Sequence, residues 1–368
     1  MAYILDQFGT GGTENQLKLL MEGLDRSRFR VSLYLLRGDA EMVVENVAVH
    51  RLGIDSIVSI KGVQGLLRLS RRLRRERVDI LQTFMQDATI VGVLAARISG
   101  LRNIVVSIED MLFWATPVKL AVHKLMVLLS HSIRVNSHAI KESIGREFFF
   151  ADISVIHNGI PTKDSPFRGS AYRHRLMQQL KLGCDLPIVV IVSNLNRRVK
   201  RVDLFVEAAA MVLKKIDALF VIVGDGALRI EIEAQIERLN STERIVLMGQ
   251  RRDVAVIYAG ADLAANTSDS EGLANSVIEG MRAGLPIIAS DVPGNREALH
   301  PGRSGWLFAP GNSQALAEAV EKALGDPKAR MRMGLYGRWN VSSNYQVTRM
   351  VQGHERLYRR IVGKGIGH

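Results

Sequence analysis

Short apolar runs alternate with longer stretches of helical periodicity along the whole chain. The runs stand at 30–36, 78–84, 103–108, 132–137 and 153–159, and then at 187–195, 218–224, 244–249, 262–268, 285–291 and 305–308. Nearly continuous apolar strands separated by helices are typical of a parallel sheet that is covered on both faces. We therefore predict an α/β fold with two doubly wound, Rossmann-like domains.

A segment rich in Pro, Gly and Ser interrupts the alternation at 160–174 and predicts a linker. We accordingly place the first domain at 1–165 and the second at 170–345. The 368 residues are sufficient for two cores of ordinary size. The final stretch, 346–368, is amphipathic, and we expect it to cross back onto the first domain.

The composition and net charge indicate which class of protein this is and which kind of partner it binds. With 47% hydrophobic and 23% charged residues it is that of a soluble globular protein, and the one cysteine, Cys184, excludes an internal disulfide. No charged-then-apolar signal pattern opens the sequence and no apolar run is long enough to span a bilayer, so we expect a cytoplasmic location. The net charge of +12 implies an anionic partner. Nucleic acid is disfavoured, because the arginines lack interleaved aromatic residues and no zinc-ligand spacing is present.

Two segments could meet an anionic membrane. The first, 65–77, carries six arginines against Glu76, and the second, 112–129, combines Phe113 and Trp114 with an apolar face. A solvated surface helix, with arginine stems that cover apolar surface, is the favoured alternative for the first segment, and a buried helix explains the second equally well. On the membrane interpretation, arginines of the first segment lie at the headgroups while its leucines enter the lipid. Those leucines are Leu66, Leu69 and Leu73.

The stretch FGTGGTENQL at 8–17 predicts a strand, a glycine turn and a helix. Thr13 and Gln16 fit a capping box, which would begin the helix there. The stretch is not a P-loop, since no Gly-Lys-Ser/Thr follows, and Glu14 breaks the dinucleotide fingerprint. Its glycines and helix N-terminus still predict a site where an anion approaches the backbone.

The stretch SDSEGLANSVIEGMRAGLPIIASDVPGNREAL at 268–299 is the most specific in the chain. Glu271 precedes a glycine turn, Asn275 or Ser276 is expected to cap a helix, and Glu279 lies about one turn inside that helix. A phosphate could dock on the helix N-terminus between 273 and 276. Taken singly, each glutamate could also be an ordinary surface carboxylate.

This stretch resembles the signature of glycosyltransferase family 4, in which two glutamates separated by seven residues bind a nucleotide-sugar donor. The resemblance extends over almost the whole chain, through GGTE at 11–14, VIHNGI at 155–160, SNLNRRVKRVDLFVEAA at 193–209 and VGDGALR at 223–229. It implies the GT-B fold, in which two Rossmann-like domains face each other across a cleft.

The resemblance also implies residue roles. Lys200, with one of Arg197 or Arg198, would hold the donor diphosphate, which gains negative charge as the glycosidic bond breaks. Glu271 would bind hydroxyls of the transferred sugar, and Glu279 would bind those of the ribose. The catalytic set is thus Glu271, Lys200 and Arg197, and the donor-binding set is Glu279, Arg198, Asn194, Gly224, Gly226, Leu273, Ala274, Asn275, Gly11 and Gly12.

Two positions depart from the family pattern. Asn194 stands where the family often has an arginine six places before its lysine. Glu109 stands where many members carry a histidine that contacts the donor sugar. We place Glu109 and Asn158 on the acceptor or sugar side of the site.

The activity that the resemblance implies is sugar transfer with retention of anomeric configuration and without a bound metal or other cofactor. The donor would be a nucleoside-diphosphate sugar, and the acceptor a glycan or polyprenyl-linked intermediate of cell-surface polysaccharide. Two alternatives stay open: a nucleotide-sugar 2-epimerase of the same fold, and a non-catalytic relative that binds nucleotide sugar or membrane.

Overall fold

The computed structural model describes residues 1–9, 11–38, 43–112, 115–163, 165–181, 183 and 185–364. Phe113, Trp114 and Cys184 lie outside these residues. The chain divides into two compact units, unit 1 formed by Met1–Gly159 with Val347–His368, and unit 2 formed by Ile160–Gln346. None of the described helices has the length and apolarity that crossing a membrane requires.

Unit 1 is built on a parallel sheet. Its strands are β1 (Ala2–Leu5), β2 (Ser32–Leu35), β3 (Ala48–Arg51), β4 (Leu81–Thr83), β5 (Ile104–Ile108), β6 (Ser132–Val135) and β7 (Ile153–Val155). The helices between them are α1 (Gly12–Gly23), α2 (Ile60–Arg75), α3 (Gln86–Ser99), α4 (Pro117–Leu128) and α5 (His138–Gly145). Within the described residues the strand order is β3-β2-β1-β4-β5-β6-β7, and every pair is parallel.

Unit 2 repeats this architecture. Its strands are β8 (Ile188–Val192), β9 (Leu219–Val223), β10 (Ile245–Gly249), β11 (Leu263–Asn266), β12 (Ile287–Ser290) and β13 (Gly305–Phe308). Its helices are α6 (Ser170–Gln179), α7 (Val202–Val212), α8 (Arg229–Arg238), α9 (Val254–Gly260), α10 (Asn275–Arg282), α11 (Pro293–Ala298), α12 (Ser313–Gly325) and α13 (Pro327–Asn344), with a 3₁₀ turn at Arg198–Lys200. The described strands follow the order β10-β9-β8-β11-β12-β13 and all pair in parallel.

Apolar residues on both faces of the buried strands explain why both sheets are covered by helices on both sides. In β1, Ala2 and Ile4 pack into one core cluster while Tyr3 and Leu5 pack into another on the opposite face. The same alternation divides β8 between the two core clusters of unit 2. The predicted fold class, two doubly wound parallel α/β sheets, is therefore confirmed.

The last described helix, α14 (Val347–Lys364), packs on the sheet of unit 1. A buried polar chain joins it to three strands. The hydroxyls of Tyr3 and Tyr358 lie 3.0 Å apart, the Tyr358 hydroxyl donates to Gln82 Oε1, and Gln82 Nε2 donates to Ser107 Oγ over 2.8 Å. Because each of these polar groups is satisfied, burial of the tyrosines and the glutamine is tolerated.

The predicted capping box is wrong. Helix α1 begins at Gly12 with Gly11 as its N-cap, and no side chain caps it. Gln16 is buried and instead binds the backbone of Gly159, donating from Nε2 to the carbonyl oxygen (3.1 Å) and accepting the N–H at Oε1 (2.9 Å). A tertiary partner that offers both a donor and an acceptor satisfies the whole amide, which a capping box does not.

Strand β3 was not among the predicted runs. Its sequence, AVHR, is four residues long and mostly exposed, because it lies at the edge of the sheet. A strand in that position lacks the continuous apolar pattern that marks the buried strands.

Candidate functional site

The loops that follow β8, β9 and β11 meet at the carboxyl edge of the unit 2 sheet, since all strands run parallel. Ligands of open α/β sheets bind at this edge. The residues predicted to bind the donor in unit 2 all lie on these loops or on the first turns of the helices that follow them.

Lys200 and Glu271 form a largely buried ion pair at this edge. Lys200 Nζ lies 2.7 Å from Glu271 Oε1, and the carboxylate is 9% exposed. The same oxygen accepts from Ser268 Oγ at 2.6 Å and from Asn266 Nδ2 at 3.3 Å. Burial acts to raise the pKa of Glu271, but the Lys200 ammonium and the three hydrogen bonds outweigh it and hold the pKa below its usual range.

The loops that carry this pair are bonded to each other. Thr267 Oγ1 donates to the carbonyl oxygen of Lys200 and the Asp269 N–H donates to that of Val199, both over 2.8 Å. Asn295 is buried beneath them and donates from Nδ2 to Asn266 Oδ1 over 3.0 Å. The ion pair is thus held in a pre-organised position.

Sequence reasoning did not find the residues that support the ion pair. Asn266, Ser268 and Asn295 lie in or next to the stretch singled out at 268–299, but as small polar residues they were not assigned a role. The only signal for Asn266 and Ser268 was their position at the end of β11, and Asn295, which lies in α11, had no signal of that kind.

Helix α10 begins at Asn275, and its N-cap is Ala274, without a side-chain hydrogen bond. The prediction that Asn275 or Ser276 caps the helix is therefore wrong. Ser276 Oγ instead accepts from Asn266 Nδ2 over 3.3 Å, so its hydroxyl supports the loop after β11. Leu273 and Ala274 are buried just before the helix.

Glu279 lies one turn into α10 and is partly buried. Burial raises the pKa of this carboxyl, and the positive charge of Arg282 opposes the rise. Glu271 and Glu279 therefore have pKa values shifted in opposite directions, which is common at sites that bind or transform a ligand.

The predicted donor cations differ in their exposure and partners. Arg197 and Arg198 are exposed, and Arg198 pairs with Glu231 at 2.8 Å. With Asn194 they line a pocket of about 610 Å³ between the loop after β8 and helix α8. Lys200, Glu271 and Glu279 are not among the residues that line this pocket, and Lys200 pairs with Glu271 instead.

Gly224 and Gly226 allow the loops after β8 and β9 to pack closely. Both have positive φ, +136° and +155°. A Cβ at Gly224 would overlap the carbonyl oxygen of Ser193, and one at Gly226 would lie 2.6 Å from the Asn196 nitrogen. Their absent side chains thus set the shape of the edge where the donor residues lie.

A second polar group lies at the carboxyl edge of the unit 1 sheet, around Arg134 of β6. Arg134 is 2% exposed; it donates from Nη1 to Glu109 Oε1 and from Nη2 to Asn158 Oδ1 (3.2 Å) and to the Ile156 carbonyl (2.7 Å). Asn136 Nδ2 donates to Glu109 Oε2 over 2.9 Å. One guanidinium therefore joins the ends of β5, β6 and β7.

The two predicted acceptor-side residues, Glu109 and Asn158, are thus brought together by a residue that sequence reasoning missed. The signal for Arg134 was an arginine inside an otherwise apolar strand, SIRV. At the glycine-rich loop, a Cβ on Gly11 would collide with the Glu14 carboxylate, which folds back over the helix start. Gly12 opens α1 beside it.

Two protein-family models match the chain, each on a different stretch. The model described as Glycosyltransferase Family 4 matches residues 10–164, and that described as Glycosyl transferases group 1 matches residues 173–339. The chain belongs to glycosyltransferase family 4. This confirms the predicted family. The two matched stretches together cover the chain except for its termini and a short central segment.

Two curated proteins show how similar this family 4 chain is to its relatives in sequence. It is 28% identical over 211 residues to N-acetyl-alpha-D-glucosaminyl L-malate synthase of Bacillus anthracis, covering 56% of this chain and 53% of that relative. It is 26% identical over 316 residues to UDP-Gal:alpha-D-GlcNAc-diphosphoundecaprenol alpha-1,3-galactosyltransferase of Escherichia coli, covering 82% and 81%. The first alignment thus spans about half of that relative's length.

Among solved structures, HepE of Anabaena in complex with UDP and glucose superposes with a TM-score of 0.88. The superposition covers 98% of this chain and 99% of HepE at 21% sequence identity. At that identity the likeness shows the fold alone, and it confirms that the family 4 chain has the predicted GT-B fold.

Proposed function

We propose that the protein is a retaining glycosyltransferase that moves a sugar from a nucleoside-diphosphate sugar to a hydroxyl of a lipid-linked or polysaccharide intermediate in cell-surface glycan synthesis. The observation that carries the proposal is the buried ion pair between Lys200 and Glu271 at the carboxyl edge of unit 2. An ammonium and a carboxylate held together in this place suit a ligand that has both a diphosphate and sugar hydroxyls.

The comparisons support the same class of donor. The relative from Escherichia coli is named for UDP-galactose, and HepE was crystallised with UDP and glucose. The names of both curated relatives describe the attachment of a sugar.

The proposed reaction uses the residues of unit 2 to stabilise the leaving group. The acceptor oxygen bonds to the anomeric carbon as that carbon's bond to the β-phosphate oxygen breaks, and the acceptor proton passes to the departing phosphate on the same face. Lys200, with Arg197 or Arg198, offsets the charge that develops on the diphosphate. Glu271 orients the sugar through its hydroxyls and Glu279 holds the ribose.

An anionic membrane is the proposed location of the acceptor, reached through α2. The predicted arrangement of this helix is wrong in one respect: Leu69 and Leu73 lie in the core and Leu66 packs against it, so these leucines do not face lipid. Other apolar residues, just before α2 and in its first half, are exposed, and exposed arginines follow them toward the end of the helix. The apolar residues are Val58, Ile60, Val63 and Leu67, and the arginines are Arg68, Arg71, Arg74 and Arg75. This order of apolar and cationic groups fits a lipid surface.

The second predicted membrane segment, 112–129, also has exposed apolar side chains. Val118 is exposed near its start, and Leu125 and Leu128 are exposed near its end.

Calorimetric titration of the protein with UDP, GDP, ADP and their sugars tests the donor class. We expect one nucleotide series to bind. Lys200→Met should lower the affinity for the nucleoside diphosphate about 10-fold or more, because a charge-assisted hydrogen bond is lost. Exposed Lys214, next to α7 and away from the ion pair, provides the matched control Lys214→Met.

Incubation of the bound nucleotide sugar without acceptor separates the remaining alternatives. A transferase leaves the sugar intact or hydrolyses it slowly, and nuclear magnetic resonance of a transferred product would show the donor's anomeric configuration. Conversion to an altered nucleotide sugar would identify an epimerase, and absence of binding to every nucleotide would overturn the proposal.

A further inference from the structure

Asn295 of α11 is linked to the ion pair of Lys200 and Glu271 through one intervening side chain, that of Asn266. Its side chain is 0% exposed. Its Nδ2 donates to the Ser290 carbonyl oxygen (2.9 Å), to Ser290 Oγ (3.1 Å) and to Asn266 Oδ1 (3.0 Å). No described residue donates to Asn295 Oδ1, which is also buried. An unsatisfied buried oxygen costs free energy, so the three acceptors around Nδ2 decide how this amide is turned.

The backbone of Ser290 sets the direction of the Asn295 amide. A carbonyl oxygen can only accept, so the atom of Asn295 that faces the Ser290 carbonyl must be Nδ2. Turning the amide over would place two carbonyl oxygens against each other. The Ser290 hydroxyl also donates to the carbonyl oxygen of Ser268, so one residue of β12 contacts two members of the network around Glu271.

Asn295 in turn sets the direction of the Asn266 amide. Asn266 Oδ1 accepts from Asn295 Nδ2 and from the Ser268 N–H (3.3 Å), so its Nδ2 points the other way. There Nδ2 donates to Glu271 Oε1 and to Ser276 Oγ, both over 3.3 Å. If this amide turned over, its oxygen would face the Glu271 carboxylate, and the two acceptors would repel each other.

The hydrogen bonds that the described residues make to the Glu271 carboxylate all end on Oε1. Its donors are Lys200 Nζ (2.7 Å), Ser268 Oγ (2.6 Å) and Asn266 Nδ2 (3.3 Å). Rotation of the carboxyl group would exchange its two oxygens and break these bonds, so the three donors fix its orientation. Oε2 is therefore the oxygen that is left for a ligand.

We propose that Asn295 is a positioning residue: it fixes the direction of the Asn266 amide and so holds Glu271 with Oε2 open to hydroxyls of the donor sugar. This inference rests on the proposed function, in which Glu271 binds that sugar. Without the Asn295 donor, the direction of the Asn266 amide depends on the Ser268 N–H at 3.3 Å. Glu271 then loses the donor that keeps its carboxyl group in one orientation, whereas the ammonium of Lys200 stays available to the diphosphate.

Calorimetric titration of Asn295→Leu with UDP, GDP and ADP, each alone and as a nucleotide sugar, tests the proposal. Leucine has a similar size and no donor. We expect the affinity for the nucleotide sugar to fall about 10-fold, as for the loss of one hydrogen bond to a charged group. The affinity for the nucleoside diphosphate alone should stay the same or rise, because a less ordered Glu271 competes less for Lys200. An equal loss of both affinities would show a merely structural role and overturn the proposal.

Asn340→Leu is the matched control. Asn340 is 2% exposed in the same unit, and its hydrogen bonds join α13 to the end of α11 and to Asn344 rather than to Glu271. We expect this variant to leave the ratio of the two affinities unchanged. Circular dichroism and urea unfolding establish that the variants are folded. If Asn295→Leu does not fold, Asn295→Ser removes the bond to Asn266 without adding bulk and gives the same test.

A double-variant cycle between Asn295→Leu and Glu271→Gln separates failure of this proposal from failure of the proposed function. The cycle is measured by urea unfolding and needs no ligand. We expect the two losses of stability to be non-additive, and those of Asn340→Leu and Glu271→Gln to add. Strict additivity for Asn295 and Glu271 overturns the proposal even if nucleotide sugars bind. Coupling in a protein that binds no nucleotide overturns the proposed function and still supports the role of Asn295 in holding Glu271.

Discussion

Lys200 Nζ lies 2.7 Å from Glu271 Oε1, so the residue proposed to bind the diphosphate is in contact with the residue proposed to bind the sugar. A diphosphate that binds the Lys200 ammonium must therefore compete with the Glu271 carboxylate for it. Ser268 and Asn266 also donate to Glu271 Oε1. We therefore expect the carboxylate to stay in place when the ammonium binds a ligand.

Lys200→Met is expected to lower the free energy of unfolding by about 1 to 3 kcal/mol, because it leaves a buried carboxylate without its cation. Glu271→Gln combined with Lys200→Met is expected to recover part of that loss, since the charge is then removed as well. Urea unfolding of the two single variants and the double variant measures the coupling.

The exposed pair of Lys18 and Glu22 is the control for the buried pair. Their side chains are 31% and 38% exposed, so Lys18→Met is expected to change stability by less than about 0.5 kcal/mol. The proposed coupling would be contradicted if Lys18→Met and Lys200→Met lowered the free energy of unfolding equally. It would also be contradicted if the effects of Lys200→Met and Glu271→Gln were strictly additive in the double variant.

The raised pKa of Glu279 predicts a pH dependence of nucleotide binding. Ribose hydroxyls donate to the carboxylate form, and burial makes Glu279 take up its proton at a higher pH than an ordinary glutamate. Affinity for the nucleotide should therefore fall as the pH falls through that raised pKa. Titration calorimetry over a pH series measures this loss.

Glu279→Gln separates that loss from protonation of the nucleotide itself. The variant cannot titrate at this position, so the ratio of its affinity to that of the unmodified protein should rise toward low pH. A ratio that does not change with pH would remove Glu279 from the nucleotide site.

Arg134→Met is expected to destabilise unit 1 by about 3 kcal/mol, since it leaves Glu109 and Asn158 without the buried guanidinium that joins them. Adding Glu109→Gln should restore part of the loss by removing the uncompensated charge. Thermal and urea unfolding provide the measurement. Arg360→Met, which breaks an exposed pair with Asp152, is the control and is expected to cost less than about 1 kcal/mol.

Replacing Arg71, Arg74 and Arg75 with glutamine is expected to weaken binding to phosphatidylglycerol vesicles by roughly 3 kcal/mol, or about a hundredfold, at about 1 kcal/mol for each arginine. Vesicle sedimentation at several salt concentrations measures the effect, and added salt should lower the affinity of the unmodified protein. The same number of charges removed at exposed Arg252, Lys328 and Arg332 of unit 2 is the control. Equal weakening by both triple variants would show that total charge, not α2, determines binding.

The sequence by itself determined the fold class. The buried strands were predictable because parallel strands covered on both faces must be apolar throughout, whereas the exposed edge strand β3 has no such requirement and was missed. The helix starts were predicted less well. At α1 the side chain expected to cap the helix, Gln16, binds the distant Gly159 backbone, and at α10 the N-cap is Ala274.

The tertiary structure alone decided which predicted site residues are in contact. The resemblance to the family pattern indicated Glu271, Glu279 and Lys200, but it could not show that Lys200 pairs with Glu271 while Arg197 and Arg198 are exposed. Nor could it show that Arg134 joins Glu109 to Asn158. The periodicity of a sequence reports local burial, whereas an ion pair depends on where separate loops meet at the edge of a folded sheet.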